Sequence, residues 1–96
     1  MPDFPVELRV ESLGDHEYLV AVVSGGQTAE SRFRATSDVM TELGAGDDAE
    51  PRVVRESAAF LLDHQPLIDL PPMIDLADVA AAYDGYLDDL RLRLEP

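Results

Sequence analysis

At 96 residues the chain is sized for one domain, and a hydrophobic share of 46% is enough to build a packed core. Twenty acidic residues against seven basic ones, with no lysine, give a formal net charge of −13. That balance argues against direct DNA or RNA binding, which needs a basic face, and against docking on an anionic membrane.

The acidic excess is spread over both halves: three arginines against eleven acids in residues 1–50, and four against nine in 51–96. It reads as a solubilising surface, or more sharply as a mimic of nucleic acid directed at a basic protein. With no cysteine there is neither a disulfide framework nor thiolate chemistry. The opening MPDFPVELRV lacks a basic region followed by an apolar one, so no secretory signal is expected. The longest apolar run, Tyr18–Val23, is far short of a membrane span. These features lead us to expect a cytoplasmic protein.

In chain order, Phe4, Val6, Leu8 and Val10 alternate with Glu7, Arg9 and Glu11, the period of a strand with one buried face. Pro5 places that strand at a sheet edge. Ser12–His16 reads as a hairpin loop, and Glu17–Ser24 (EYLVAVVS) as a second strand, apolar on both faces. Gly25-Gly26 predicts a tight hairpin turn into a third strand, Thr28–Thr36. Ser37 offers a cap for a short helix over Asp38–Leu43, which Gly44 stops. Gly44–Glu50 is then an acidic loop.

Pro51–Pro66 holds the best-marked helix. Pro51 suits the first helical position, and Pro66 ends it. Val54, Ala58, Leu61 and Leu62 make a stripe at helical spacing, widened by Val53 and Phe60. PLIDLPPMIDL follows, and its prolines predict an extended connector whose Leu67, Ile68, Leu70, Met73 and Ile74 plug the core. Asp75 is a natural N-cap, with Asp78 placed for a capping-box pair. Leu76, Ala80, Tyr83, Leu87, Leu90 and Leu94 form a seam for one helix near 76–93, interrupted by Gly85. The expected fold is a two-layer α+β single domain over residues 1–96. A three-stranded antiparallel meander (1–36) leads through the short helix and acidic loop (37–50) to the helix, connector and helix of 51–96. The sheet packs on two main helices and one short helix.

The C-terminal half resembles a family of small uncharacterised bacterial proteins with an RxSFxFLLExxP helix followed by an FDLSVIxxYFPEY-like segment. The likeness runs through Arg55, Ser57, Phe60, Leu61, Leu62, Asp63 and Pro66, then Asp75, Leu76, Val79, Tyr83 and Tyr86. FRATSDVMTELG resembles the strand and short helix that precede them. The chain departs from the pattern at Ala59 and at Asp84-Gly85, where Pro-Glu is usual. The resemblance implies this architecture and no activity.

Residue chemistry points to no catalytic, cofactor or metal site. His16 falls in a hairpin loop, and His64 falls at a helix C-terminus, where an imidazolium complements the dipole. Neither sits in a zinc-ligand spacing. Gly46–Glu50 lacks the alternation of a calcium loop and reads as solvated. Asp84, Asp88 and Asp89 read as a solvated helical face. Ser57 has no nucleophile-elbow context. Tyr83 belongs to the seam and Tyr86 lies off it.

The second strand carries the one outward-looking feature. Helices on one side of a small sheet leave its other face bare. Tyr18, Val20 and Val22 project one way, and Leu19, Ala21 and Val23 the other. The outer set is assigned to Leu19, Ala21 and Val23, because an aromatic with two valines fills a core better. With Arg32 and Arg34 beside them, these residues form an apolar stripe rimmed by charge. The expectation is a non-enzymatic module that binds itself or another protein through this face. A nucleic-acid-mimicking inhibitor of a basic protein is the alternative, and a small enzyme or ligand-binding subunit the third.

Overall fold

A computed structural model describes residues 7–94. Strand β1 (Glu7–Gly14), β2 (Glu17–Ser24) and β3 (Gln27–Arg34) form the meander. Phe4, Pro5 and Val6, assigned above to the first strand, lie outside the described residues. The β1–β2 turn is Asp15-His16, both at positive φ (52° and 64°), and Gly25-Gly26 makes the second turn at φ 57° and 82°. Glycine takes that backbone freely and Asp tolerates it, whereas His16 adopts it at some cost.

Helix α1 (Ser37–Leu43) follows. Thr36, not Ser37, is its N-cap, and Gly44 closes it in the left-handed conformation at φ 65°. A short 3-10 turn, Asp47–Ala49, leads into α2 (Glu50–His64), which buries Val53, Val54, Ala58, Phe60 and Leu61. The helix therefore begins one residue before Pro51, and Glu50 leaves the loop to become a buried group.

The expected three-stranded antiparallel sheet is corrected at the connector. Leu67–Asp69 is a 3-10 turn, and Met73–Asp75 is a fourth strand, β4. It pairs parallel with β3, Arg32 opposite Met73 and Arg34 opposite Asp75, so the sheet is mixed in the order β1-β2-β3-β4. Its prolines stop just short of the ladder: the Arg32 N–H donates to the Pro72 carbonyl at 2.8 Å, and the Ser31 hydroxyl to the Pro71 carbonyl at 2.6 Å. Proline lacks a donor but keeps its acceptor, and β3 uses the acceptors. Of the connector's core plugs, Ile74 is buried, Leu67 and Leu70 are half-buried, and Met73 is 67% exposed. The Ile68 side chain lies outside the description.

The helix expected near 76–93 is two: α3 (Leu76–Ala82) and α4 (Tyr86–Leu94). Tyr83 leaves helical geometry at φ −124°, ψ 107°, and its ring packs edge-on against Phe60 at 5.4 Å and His64 at 5.2 Å. Asp84 and Gly85 complete the break. A new helix restarts the phase, so Tyr86, off the continuous seam, is fully buried, and Tyr83, on it, is half-buried. Asp75 caps α3 as expected, accepting from the Ala77 N–H at 2.9 Å, and it also takes the Thr36 hydroxyl. Among the described residues Asp78 returns no bond to the Asp75 N–H.

The architecture is thus two-layer α+β, with one face of a four-stranded mixed sheet covered by the helices. Tyr18, Val20, Val22 and Phe33 project from the sheet into the core, where Val53, Val54, Leu76 and Leu90 meet them. Arg93 ties α4 to α2, donating to Asp63 at 2.7 Å and Asp89 at 3.3 Å. The Asp63 hydrogen bond raises the Arg93 guanidinium above its usual pKa.

Candidate interaction surface

The sheet's other face carries no layer of the fold. Antiparallel pairing sets its residues in rows: Glu7–Val23–Thr28, Arg9–Ala21–Glu30, Glu11–Leu19–Arg32 and, at the end, Glu17–Arg34. Met73 extends the Arg32 row onto β4, and Asp75 the Arg34 row. Strand alternation makes the assignment of faces unambiguous. Tyr18, Val20 and Val22 are buried under the helices, while Leu19 and Ala21 are half-buried and Val23 is 38% exposed on the side facing away.

Electrostatically the face differs from the rest of the molecule. Its three long strands present four carboxylates (Glu7, Glu11, Glu17 and Glu30) and three guanidiniums (Arg9, Arg32 and Arg34). It is close to neutral on a chain of net charge −13. Arg9, Arg32 and Arg34 are exposed, and none makes an ion pair among the described residues, although carboxylates share the face with each of them. The ion pairs of Arg91 and Arg93 all lie on the helical side, with Glu42, Asp88, Asp63 and Asp89.

The residues weighed for chemistry fall elsewhere. His64 donates its Nδ1–H to the Phe60 carbonyl at 2.9 Å and stacks on the Phe60 ring at a centroid distance of 4.2 Å. It caps and packs the end of α2. Ser57 and Tyr86 share a buried hydrogen bond of 2.6 Å, and desolvation pushes the Tyr86 phenol up to about 12 against the weaker opposing pull of that bond.

One polar cluster escaped the sequence reading. The Glu50 carboxylate, 4% exposed, accepts from the Tyr18 hydroxyl at 2.9 Å and lies 2.8 Å from His16 Nδ1. Beside it is a small cavity of about 200 Å³ lined also by Ser37, Met40 and Thr41. Glu50 is 32 and 34 residues from these partners, and no local pattern announces such a meeting. The cluster clamps the β1–β2 turn to the first turn of α2. A larger open groove of about 290 Å³ lies between α2, β4 and α3, with Leu61, Ile74, Val79, Tyr83, Gln65 and Asp78 among its lining residues. Among the described residues no group of His, Asp and Glu gathers for a metal ion, and no helix is long and apolar enough to cross a membrane.

The chain matches no family model, no curated protein and no solved structure. The functional reading of this surface therefore rests on its geometry.

Proposed function

We propose that this protein is a non-enzymatic interaction module whose working surface is the outer face of its sheet, with Leu19, Ala21 and Val23 at the centre and Arg32 and Arg34 at the margin. The observation that carries the reading is the pairing of an apolar stripe with three arginines that have no ion-pair partner among the described residues. Arginines on a strongly acidic chain have every opportunity to pair internally, as Arg91 and Arg93 do. Arginine around an apolar centre is the composition of contact surfaces. The polar groups weighed for chemistry support the non-enzymatic part: Glu50, His64, Ser57 and Tyr86 each hold two elements of the fold together or cap a helix.

Co-expression of differently tagged copies in the native host, followed by affinity purification, tests this. Leu19→Glu and Val23→Glu, each shown by circular dichroism to be folded, should lose the proteins that co-purify with the wild type, other copies included. Arg55→Glu, on the exposed side of α2, should retain them. An identical set of co-purifying proteins for all three variants would sink the proposal.

A further inference from the structure

From the register of the outer face we infer that its occupant is a second copy of this chain, seated face to face about a two-fold axis running along β2. The inference rests on the reading above and adds to it a partner and a geometry. Two sheets facing each other about a two-fold axis have two simple choices: the axis lies along the strands or across them.

Along β2, each Leu19, Ala21 and Val23 meets its own counterpart, and β1 of one copy lies over β3 of the other. Residues of one row then meet at the same height. Glu11 comes over Arg32 of the second copy, and Arg9 over its Glu30, because Glu11–Leu19–Arg32 and Arg9–Ala21–Glu30 are rows of the register. By symmetry each opposition occurs twice. Glu7 comes over the neutral Thr28, and at one end of the axial strand the two Glu17 oppose each other, each with Arg34 beside it in its row.

Across β2, each strand lies over its own copy running the other way. Arg9 then meets Arg9, Glu30 meets Glu30, and Glu7 meets Glu11. Like charges opposed in an interface disfavour it, and opposite charges set its register. Along β2 the face thus sets four opposite-charge pairs against the single Glu17–Glu17 opposition, whereas across β2 the charges that meet are alike.

Within one chain, Glu11 and Arg32 stand two strand spacings apart, about 10 Å, with Leu19 between them. A second copy offers Arg32 a carboxylate in the row where its own sheet offers a leucine. A basic partner, which the overall charge would favour, gains little on this nearly neutral face. Three eight-residue strands span about 25 by 15 Å, at the small end for specific contacts, so the association is weak and concentration-dependent.

Sedimentation velocity on the full chain, from about 1 µM to about 1 mM, should show a monomer–dimer equilibrium. Glu11→Arg and Arg32→Glu should each weaken it by about tenfold or more, and the combined Glu11→Arg/Arg32→Glu chain should recover it, since both partners of the pair reverse together. Glu7→Arg/Arg32→Glu has the same net charge as the recovered chain, but the wrong row, and should not recover. A chain that stays monomeric throughout overturns the inference. So does equal recovery by the two combined variants, which would reduce the effect to net charge. If the wild type is monomeric while the co-purification of another protein still depends on Leu19 and Val23, this inference fails and the broader reading stands. If neither effect depends on the face, both fail.

Discussion

Ser57 and Tyr86 join α2 to α4 through one hydrogen bond in a region closed to solvent. Removing either hydroxyl strands the other. Tyr86→Phe should therefore cost about 1–3 kcal/mol, and Ser57→Ala a similar amount. The double variant should cost clearly less than the sum, as urea denaturation of all four chains will show; strictly additive losses would mean that the two hydroxyls do not depend on each other. The phenol carries a second expectation. Its pKa rises from 10 to about 12 on folding, so the neutral form is the one that the folded state favours. Its contribution is complete below pH 10 and falls away as the pH climbs toward 12, amounting to about 2–3 kcal/mol. Tyr86→Phe should flatten that part of the stability–pH curve, and an unchanged curve would contradict it. None of this was legible in the residue itself. Tyr86 reads as peripheral on a continuous helical seam, and only the break at Tyr83–Gly85 turns it inward. Glu50 was hidden in another way: a carboxylate in the run GDDAE looks solvated until the turn at Asp15-His16 brings His16 to it.

Among the elements, the best-marked in sequence is the one that formed almost as expected. Pro51 and Pro66 bracket α2, and its stripe at Val54, Ala58 and Leu61 is buried in full. Leu62, the fourth residue of that stripe, is only half-buried; local chemistry suffices for the rest because caps and periodicity agree. β4 shows the opposite. Three residues following two prolines carry no strand signal of their own, and their pairing depends on acceptors offered to β3, a tertiary event. The β4–α3 junction is held by Asp75, which takes both the Ala77 N–H and the Thr36 hydroxyl. Asp75→Ala should lower stability by about 1–2 kcal/mol as the cap and the link to the start of α1 go together. Asp75→Asn, which can still accept, should lose less. Equal losses in thermal or urea denaturation would assign the effect to something other than hydrogen bonding. The outer face was partly legible, since EYLVAVVS is apolar in both alternations and the glycine turn fixes its neighbours. The row-by-row register that pairs Glu11 with Leu19 and Arg32 was not legible, because it depends on the irregularity between Ser12 and Gly14.

For the molecule as a whole, charge is distributed unevenly in kind: carboxylates predominate over the helical side and the loops, while the sheet's bare face is nearly balanced. A high like charge keeps copies apart, and this nearly balanced face is where that repulsion is least. The fold also sets an order of events. The meander closes through two tight turns, whereas Met73–Asp75 must return to a strand about forty residues earlier, Arg32 pairing with Met73. Short loops close at little entropic cost and long ones are delayed. Loss of methyl groups at Val20 by Val20→Ala should therefore slow refolding, whereas Ile74→Val should act mainly by speeding unfolding, as the arms of a chevron plot would separate. Equal effects of both variants on the folding arm would contradict this order. In that order of events β3 would stand as an open edge until β4 docks, with Arg32 and Arg34 on its outer side and Phe33 turned inward. Charged residues on such an edge deter strand addition by other chains. The arginines that mark the bare face of the finished molecule would thus also guard its unfinished edge while the chain is still folding.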